Sequence, residues 1–381
     1  MTRLGYMPAL DGLRGVAIAL VIANHVGWLG GGFLGVDVFF VLSGFLITTV
    51  LLEEWGRERS VSLSAFYVRR ARRLLPAVFA LLAVLGAVAV ASASAGGSVE
   101  PIVTSVAATL FYTANIWRAM GHELIGPLTP MWSLAQEEQF YLLWPPLLAL
   151  LLRRGVSLRR VATGLVLAAV AVMLWRAHLG PDARTFFSPD TRSDPLLIGC
   201  LLAVCRHHLP RIPVSAAAVA VATLTVDVAF ASVSGGLANA FGYPLAGIST
   251  AVLIAAALQS SPVTRLLQFR PLVLLGVISY GLYVWQGFVF AILGGLPGIA
   301  VALLVAVVSY RFIEQPFRRR RTAGARLRGH VAPLPLRPAD HALRATRAVA
   351  ATAYLGTRPP EWTLSPPARQ RDVRADLLAG R

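Results

Sequence analysis

The sequence predicts an all-α, polytopic membrane protein with about ten transmembrane helices and both termini in the cytoplasm. Of its 381 residues, 56% are hydrophobic and only 14% are charged, and the mean hydropathy is +0.66. A soluble globular domain is far more polar than this. The two other observations behind the prediction are a series of apolar runs of membrane length and the placement of arginines between them. We therefore expect a multi-pass protein of the cell membrane.

Ten apolar runs are candidates for helices that cross the lipid bilayer. They are residues 10–28, 33–52, 74–93, 134–152, 160–177, 195–205, 213–233, 239–259, 272–293 and 297–313. Arginine clusters follow the second, fourth, sixth, eighth and tenth runs. Because cytoplasmic loops are enriched in arginine, this alternation predicts that both termini are cytoplasmic. If a further apolar run, 101–117, also crossed the membrane, every later arginine cluster would lie on the outer side. We therefore expect this run to be interfacial or re-entrant.

The end of the last run divides the chain into an integral-membrane domain, residues 1–321, and a tail, residues 322–381. From Arg318 onward the sequence contains 14 arginines against four acidic residues. Recurrent prolines and the lack of periodicity predict a basic, mostly disordered cytoplasmic tail. Its charge suits an anionic membrane surface. It lacks interleaved aromatic residues on a periodic face, so we expect no nucleic-acid partner.

The first run contains two ionisable side chains, Arg14 and His25, which are costly inside a membrane. On an α-helix their spacing of 11 residues is three turns plus about 20°, with a rise of about 16 Å. The two side chains therefore share one face, near opposite ends of the helix. This pattern indicates a functional site. The alternative is that Arg14 snorkels to the interface and His25 caps the outer end.

Asp37 lies near the start of the second run, shortly after the glycine turn at 30–32 and on the same predicted side of the membrane as His25. A carboxylate beside an imidazole fixes its tautomer, as in a general base with its orienting group. The alternative is that Asp37 only interacts with the positive N-terminal end of its own helix. The two cysteines, Cys200 and Cys205, do not face each other on a helix, so we expect neither a disulfide nor a metal site.

Five stretches in order resemble the acyltransferase 3 family of integral-membrane acyltransferases. They are Arg14 and His25 followed by FLGVDVFFVLSGFL, MWSLAQEEQFYLLWP at 131–145, RSDPLLIGCLLA at 192–203, SYGLYVWQ at 279–286 and SYRFIEQPFRR at 309–319. The resemblance implies an O-acyltransferase for groups other than amino-acyl groups. The family moves an acyl group, usually acetyl, from acyl-CoA to a hydroxyl of a sugar, a cell-surface glycan or a small natural product such as a macrolide.

The resemblance also implies roles for individual residues. His25 is implied as the catalytic residue and Arg14 as its partner; with Asp37 orienting it, His25 would deprotonate the acceptor hydroxyl. The family's Arg-x-x-Arg pattern would bind the phosphates of acyl-CoA, a co-substrate and not a bound cofactor. Its candidates are Arg69, Arg70, Arg72 and Arg73. The alternative for these arginines is the cytoplasmic enrichment that any membrane protein shows.

Residues near the outer ends of the helices are candidates for binding or supporting the acceptor. Neighbouring residues on a helix point about 100° apart, so only one of Glu137 and Glu138 can readily face a cavity, and we expect it to be Glu137. Its expected partner is Arg192, an acceptor hydroxyl or the surroundings of His25. Asp194 could be the other half of a pair with Arg192. The acceptor candidates are Glu137, Arg192, Asp194 and Trp132.

Gln286 departs from the family pattern, which usually has histidine after Trp or Leu at this position. Glutamine cannot transfer a proton, so His25 is the expected intramembrane base. Two alternatives to an enzyme stay open. Ten spans with buried Arg, His and Asp would also serve a proton-coupled transporter or exporter, and Gln286 is compatible with an inactive membrane binding protein.

Overall fold

The computed structural model describes residues 4–231, 241–259 and 261–319, and these residues form helices joined by short connections, with no β-strand among them. The predicted tail, 322–381, lies outside the described residues. The helices are α1 Pro8–His25, α2 Gly35–Glu58, α3 Leu63–Ser94, α4 Glu100–Leu110, α5 Ala114–Ala119, α6 Met131–Arg153, α7 Leu158–Leu179, α8 Ala183–Phe187, α9 Pro189–Arg192, α10 Asp194–Cys205, α11 Val214–Phe230, α12 Tyr243–Ala257, α13 Pro262–Leu267, α14 Arg270–Phe290, α15 Gly295–Val308 and α16 Gln315–Arg319. The predicted all-α class is confirmed.

Each of the ten predicted runs coincides with a helix, namely α1, α2, α3, α6, α7, α10, α11, α12, α14 and α15. Five helical segments among the described residues are long and apolar enough to cross a membrane by themselves. They are Gly30–Glu58, Leu63–Ser94, Leu158–Leu179, Arg270–Phe290 and Gly295–Arg318. The number of ten crossings and the cytoplasmic position of both termini stay predictions.

Large apolar side chains cover much of the outer surface of the helices. Leu142 and Leu143 on α6 and Leu167 and Leu174 on α7 are each at least 64% exposed. A soluble monomer rarely exposes continuous apolar surface of this kind. In a bilayer these side chains face lipid, so the structure is that of a multi-pass membrane protein.

Residues 101–117 form two short helices, α4 and α5, separated by a break at Tyr112, whose φ is +53°. The longer of the two has 11 residues and extends for about 16 Å. The hydrocarbon core of a bilayer is about 30 Å thick. Neither helix reaches across it, which fits the interfacial or re-entrant path that the arginine pattern predicts.

Helix α3 begins at Leu63, 11 residues before the predicted start of the third run. The side chain of Ser62 caps it by accepting a hydrogen bond from the Ala65 amide at 3.4 Å. The arginine cluster therefore lies within the first turns of a helix, where residues three apart are neighbours. The apolar runs alone predict that this cluster lies in the loop after the second run, because they do not indicate the cap at Ser62.

The ends of four helices meet at one end of the bundle, which the predicted topology makes the outer end. The turn before α2 packs on the last turns of α1, where an added Cβ on Gly32 would lie 2.3 Å from the Leu20 carbonyl oxygen. Helices α2 and α6 run side by side in one direction, since α2 contacts α6 through Ser43 with Glu137 and through Thr48 with Trp144. The C-terminal end of α14 packs on the segment just before α6, where Gly287 lies against the Pro127 carbonyl group.

Candidate functional site

A cavity of about 130 Å³ lies among α1, α2, α3, α6 and α14. Its polar lining residues are Arg14, Ser43, Arg70, Arg73, Ser133, Glu137, Tyr141, Ser279, Tyr280 and Tyr283, and much of its apolar wall comes from α2. On α2 the lining extends from Val36 to Ile47, which corresponds to about 16 Å along the helix axis. The cavity is therefore elongated along the direction in which the helices run.

Three arginines from two helices converge at the inner part of the cavity. Arg14 on α1 donates to the Ser279 hydroxyl at 3.1 Å. Arg70 donates to Glu138 at 3.1 Å and lies over the Tyr141 ring at 3.2 Å. Arg73, one turn further along α3, lines the cavity and makes no ion pair with any described residue. This end of the cavity therefore presents several guanidinium N–H donors, the type of group that can bind phosphate oxygens.

Glu137 lines the middle of the cavity and accepts a hydrogen bond from the Ser43 hydroxyl at 2.6 Å. Its neighbour Glu138 does not line the cavity but pairs with Arg70 at 3.1 Å. The prediction that Glu137 is the residue that faces a cavity is confirmed. The predicted contact of Glu137 with Arg192 is wrong, because Glu137 bonds to Ser43 on α2 and Arg192 pairs with Asp37.

The four arginines that match the family pattern are divided between two environments. Arg70 and Arg73 line the cavity. Arg69 lies on another face of α3 and pairs with Glu54 at 3.7 Å, and Arg72 is exposed. Residues one apart on a helix point about 100° apart, so a cluster of adjacent arginines cannot all face one ligand.

His25 is the last residue of α1 and its side chain is exposed. Its Nδ1 lies 2.8 Å from the Val21 carbonyl oxygen, one turn back on the same helix. A carbonyl oxygen only accepts, so Nδ1 carries the proton of this bond. In the neutral ring, Nε2 is then the nitrogen that can accept a proton. The arrangement suits a general base held by its own helix.

The predicted contact between Asp37 and His25 is wrong. Asp37 accepts a hydrogen bond from Arg192 at 3.1 Å, and both side chains are 0% exposed. Asp37 is turned about 100° from its neighbour Val36 on the helix, and Val36 faces the cavity. It therefore points toward α9 and α10 instead of toward the end of α1.

A second group of charges surrounds this pair. Arg176 on α7 forms two hydrogen bonds with Asp194, at 2.6 and 3.0 Å, and both side chains are 0% exposed. The predicted pair of Arg192 with Asp194 does not form. Instead, Arg192 pairs with Asp37 and Asp194 pairs with Arg176. We call Asp37, Arg176, Arg192 and Asp194 the paired cluster.

Aromatic rings pack around the paired cluster. The guanidinium of Arg192 lies 3.6 Å from the centroid of the Tyr243 ring. Trp132 lies 6.0 Å from the same guanidinium and packs edge to face on Phe40 and Phe187. Trp132 and Arg192 are thus buried structural neighbours, and neither lines the cavity.

Of two further groups of functional interest, the sequence predicts one in part and misses the other. Arg176, like Arg184 and Arg192, is an arginine on the predicted outer side of the membrane, against the usual charge rule, and so a candidate for an outer-face substrate site, but nothing in the sequence indicates its partner Asp194. The hydroxyls of Ser133 and Tyr283 hydrogen-bond to each other in the cavity, and Tyr283 also donates to the Pro130 carbonyl at 2.7 Å. Such a pair, 150 residues apart, leaves no local signal. Among the described residues, no group of three or more His, Cys, Asp and Glu could hold a metal ion.

Comparison with known proteins supports a single family. The family model described as an acyltransferase domain, acyltransferase 3, matches residues 7–310. The peptidoglycan O-acetyltransferase OatA of Listeria monocytogenes is 33% identical over 351 residues, which cover 82% of this chain and 56% of the relative. The O-acetyltransferase OatA of Staphylococcus aureus is 34% identical over 353 residues, covering 83% of this chain and 58% of the relative. The chain thus spans little more than half the length of these relatives. No solved structure gives a significant match.

Proposed function

Since the chain belongs to the acyltransferase 3 family, as its five sequence stretches predict, we propose that it is a membrane-bound O-acyltransferase that transfers an acetyl group from acyl-CoA to a hydroxyl of a cell-surface glycan. The observation that supports this best is the elongated cavity, which has three arginines at one end. His25 does not line the cavity; it lies on the same face of α1 as the lining residue Arg14, about 16 Å further along the helix. The names of the relatives make peptidoglycan the first acceptor to test. A small natural product with a hydroxyl is the second.

The donor binds from the cytoplasmic side in this proposal. Arg14, Arg70 and Arg73 hold the phosphates of acyl-CoA, because guanidinium groups bind phosphate oxygens in pairs. The pantetheine arm then extends along the cavity, whose length on α2 is about 16 Å. Arg73 supports this assignment, since it faces the cavity without an ion-pair partner among the described residues. Arg69 and Arg72, which lie outside the cavity, contribute only positive charge at the entrance.

The chemical step takes place beyond the outer end of the cavity, at the C-terminal end of α1. Nε2 of His25 accepts the proton of the acceptor hydroxyl while that oxygen attacks the thioester carbonyl carbon. The new C–O bond forms, the C–S bond breaks, and the proton passes to the coenzyme A thiolate, so that acetylated acceptor and free coenzyme A are released. Val21 orients the imidazole in place of Asp37. The paired cluster and Trp132 support the outer helix ends, where the acceptor binds.

The test is release of free coenzyme A by purified protein in detergent, with acetyl-CoA as donor and peptidoglycan fragments as acceptor. We expect thiol release and O-acetylated product with wild type, and a loss of about 10²-fold or more with His25→Ala, the usual contribution of a general base. His208→Ala is the matched control, because His208 is exposed in the connection after α10.

Transfer by His25→Ala near the wild-type rate would show that the base is wrongly assigned. A wild-type protein that moves solute or protons in proteoliposomes but never releases coenzyme A would support the transporter alternative. A protein that binds acetyl-CoA without turnover would support the inactive binding protein.

A further inference from the structure

Gln286 on α14 is 0% exposed, and neither its Nε2 nor its Oε1 has a hydrogen-bond partner among the described residues. A buried amide without partners destabilises a fold, because it loses its bonds to water and gains none. Buried polar groups in native proteins nearly always have partners, so an unpartnered one calls for an explanation, such as a catalytic role or a bound group. The environment of Gln286 therefore suggests a ligand.

The position of Gln286 on α14 relates it to the cavity. Ser279 and Tyr283 on the same helix line the cavity. Gln286 follows Ser279 by seven residues, which on an α-helix is two turns less about 20°. Gln286 therefore shares the face of α14 that bears Ser279, about one turn beyond Tyr283 in the direction of the outer end, and it lies past the last α14 residue that lines the cavity.

The outer end of α14 is also where α1 ends. An added Cβ on Gly287 would lie 2.5 Å from the Pro127 carbonyl oxygen, just before the start of α6. Helices α1 and α14 pack closely, since an added Cβ on Gly276 would clash with the Asp11 carbonyl oxygen and one on Gly15 would clash with the Leu272 carbonyl oxygen. From the middle of this contact, near residues 13 and 274, both helices rise about 18 Å over about twelve residues, which brings His25 and Gln286 to the same level along the helices.

We propose, on the basis of the proposed function, that the side chain of Gln286 binds the acetyl group as it is transferred. Its Nε2 donates a hydrogen bond to the carbonyl oxygen of the acetyl group. The amide stays neutral and transfers no proton; His25 takes the proton, as above. The bond from Nε2 strengthens as the carbonyl oxygen becomes negative in the transition state. Glutamine is suited to this role because its amide offers N–H donors and carries no charge.

Another buried amide provides the contrast. Asn115 is 0% exposed and exchanges two hydrogen bonds with Gln139, at 3.1 and 2.8 Å. Gln139 also donates to the Tyr112 carbonyl at 2.8 Å. This pair ties α5 to α6 and is satisfied without a ligand. Loss of the Gln139 amide should therefore destabilise the fold, whereas loss of the Gln286 amide should not.

The experiment compares Gln286→Leu with the control Gln139→Leu in the acetyl-CoA and peptidoglycan-fragment assay, together with thermal unfolding in detergent. We expect Gln286→Leu to lower kcat by about 10²-fold, the effect of removing one oxyanion donor. The KM for acetyl-CoA should not rise, and the melting temperature should not fall. Gln139→Leu should lower the melting temperature and leave kcat per folded molecule unchanged.

A third variant, Gln286→His, keeps a donor at this position and introduces a group that titrates between about pH 5 and 8. We expect it to recover part of the activity and to add an ionisation to the pH profile of kcat. Wild-type kcat in Gln286→Leu, or a drop in its melting temperature with a matching loss of active protein, would overturn the inference alone. Absence of transfer by wild type would overturn the proposed function and the inference together.

Discussion

The membrane domain contains two groups of charged side chains that differ in how their charges are balanced. In the paired cluster, Asp37, Arg176, Arg192 and Asp194 are all 0% exposed, and each arginine has an aspartate within 3.1 Å. The other group, which we call the cavity cluster, consists of Arg14, Arg70, Arg73 and Glu137. Its only ion pair among the described residues is that of Arg70 with Glu138, and its members face open space.

The difference separates structure from function. A charge buried in a membrane protein is costly and is retained either with a partner of opposite sign or for a task. The paired cluster has the partners and fixes α2, α7 and α10 relative to one another. The cavity cluster has an excess of positive charge without internal partners, as expected for a surface that binds an anionic substrate.

The largest effect that tests this contrast is predicted for Arg192→Met. The change leaves the Asp37 carboxylate buried without a partner, and breaking a buried ion pair in this way costs about 3–5 kcal/mol. We expect a large drop in the melting temperature in detergent and a low yield of monodisperse protein. The double variant Arg192→Met with Asp37→Leu removes both charges, and should recover most of the stability, because apolar replacements of a whole buried pair are often neutral.

The activity of the double variant sharpens the assignment of Arg192. If the paired cluster is structural, kcat per folded molecule should be close to that of wild type once stability is recovered. A double variant that is stable but cannot use the glycan acceptor would instead identify Arg192 as an acceptor-binding residue, and the contrast between the two clusters would fail.

The second effect is predicted for Arg73→Ala in the cavity cluster. Because Arg73 has no ion pair to lose, we expect the melting temperature to stay the same. A hydrogen bond to a charged group contributes about 1.5–3 kcal/mol, so the KM for acetyl-CoA should rise by about 10- to 100-fold. The exposed Arg72, one residue away, is the matched control, and Arg72→Ala should change this KM only slightly. Equal effects of the two variants would mean that general positive charge, and not the cavity, binds the donor.

The sequence predicted the helices and the membrane character, because both depend on local apolar content. It also predicted that Arg14 and His25 share a face of one helix, because helix geometry determines that relation. The sequence did not predict which side chains contact each other between helices. Asp37 and Arg192 are 155 residues apart, and the direction of each side chain depends on the rotation of its helix about its own axis, which no local pattern specifies.

The extent of α3 shows a second limit. A window of apolar residues locates the part of the helix in lipid, but α3 begins 11 residues before the predicted run. Only the helix position of Arg70 and Arg73 makes them cavity residues and separates them from Arg69 and Arg72. The family pattern Arg-x-x-Arg fits both pairs equally well, and the choice between them required the packing of α3 on its neighbours.

The smallest effect is predicted for an exposed pair, Arg184 and Asp190, in the connection between α7 and α10. Their side chains are 43% and 46% exposed, with 2.8 Å between Nη2 and Oδ2. Burial raises the pKa of Asp190, but hydrogen bonds from the Trp175 indole and from Arg184 outweigh it, so the pKa lies below its usual value. An exposed pair of this kind contributes less than about 1 kcal/mol, far below the paired cluster.

Because the pKa of Asp190 is lowered by folding, its contribution is fully present above the unfolded pKa of about 3.9 and is lost as the pH falls through the folded pKa. We expect Asp190→Asn to lower the melting temperature slightly at pH 7 and not at all at a pH below the folded pKa of Asp190. Thermal unfolding of wild type and Asp190→Asn at several pH values from 7 downward measures the difference. A salt titration is the control, since salt screens exposed charges. A loss at pH 7 as large as that of Arg192→Met would show that exposure does not decide what a charge contributes in this protein, and would remove the basis for separating the two clusters.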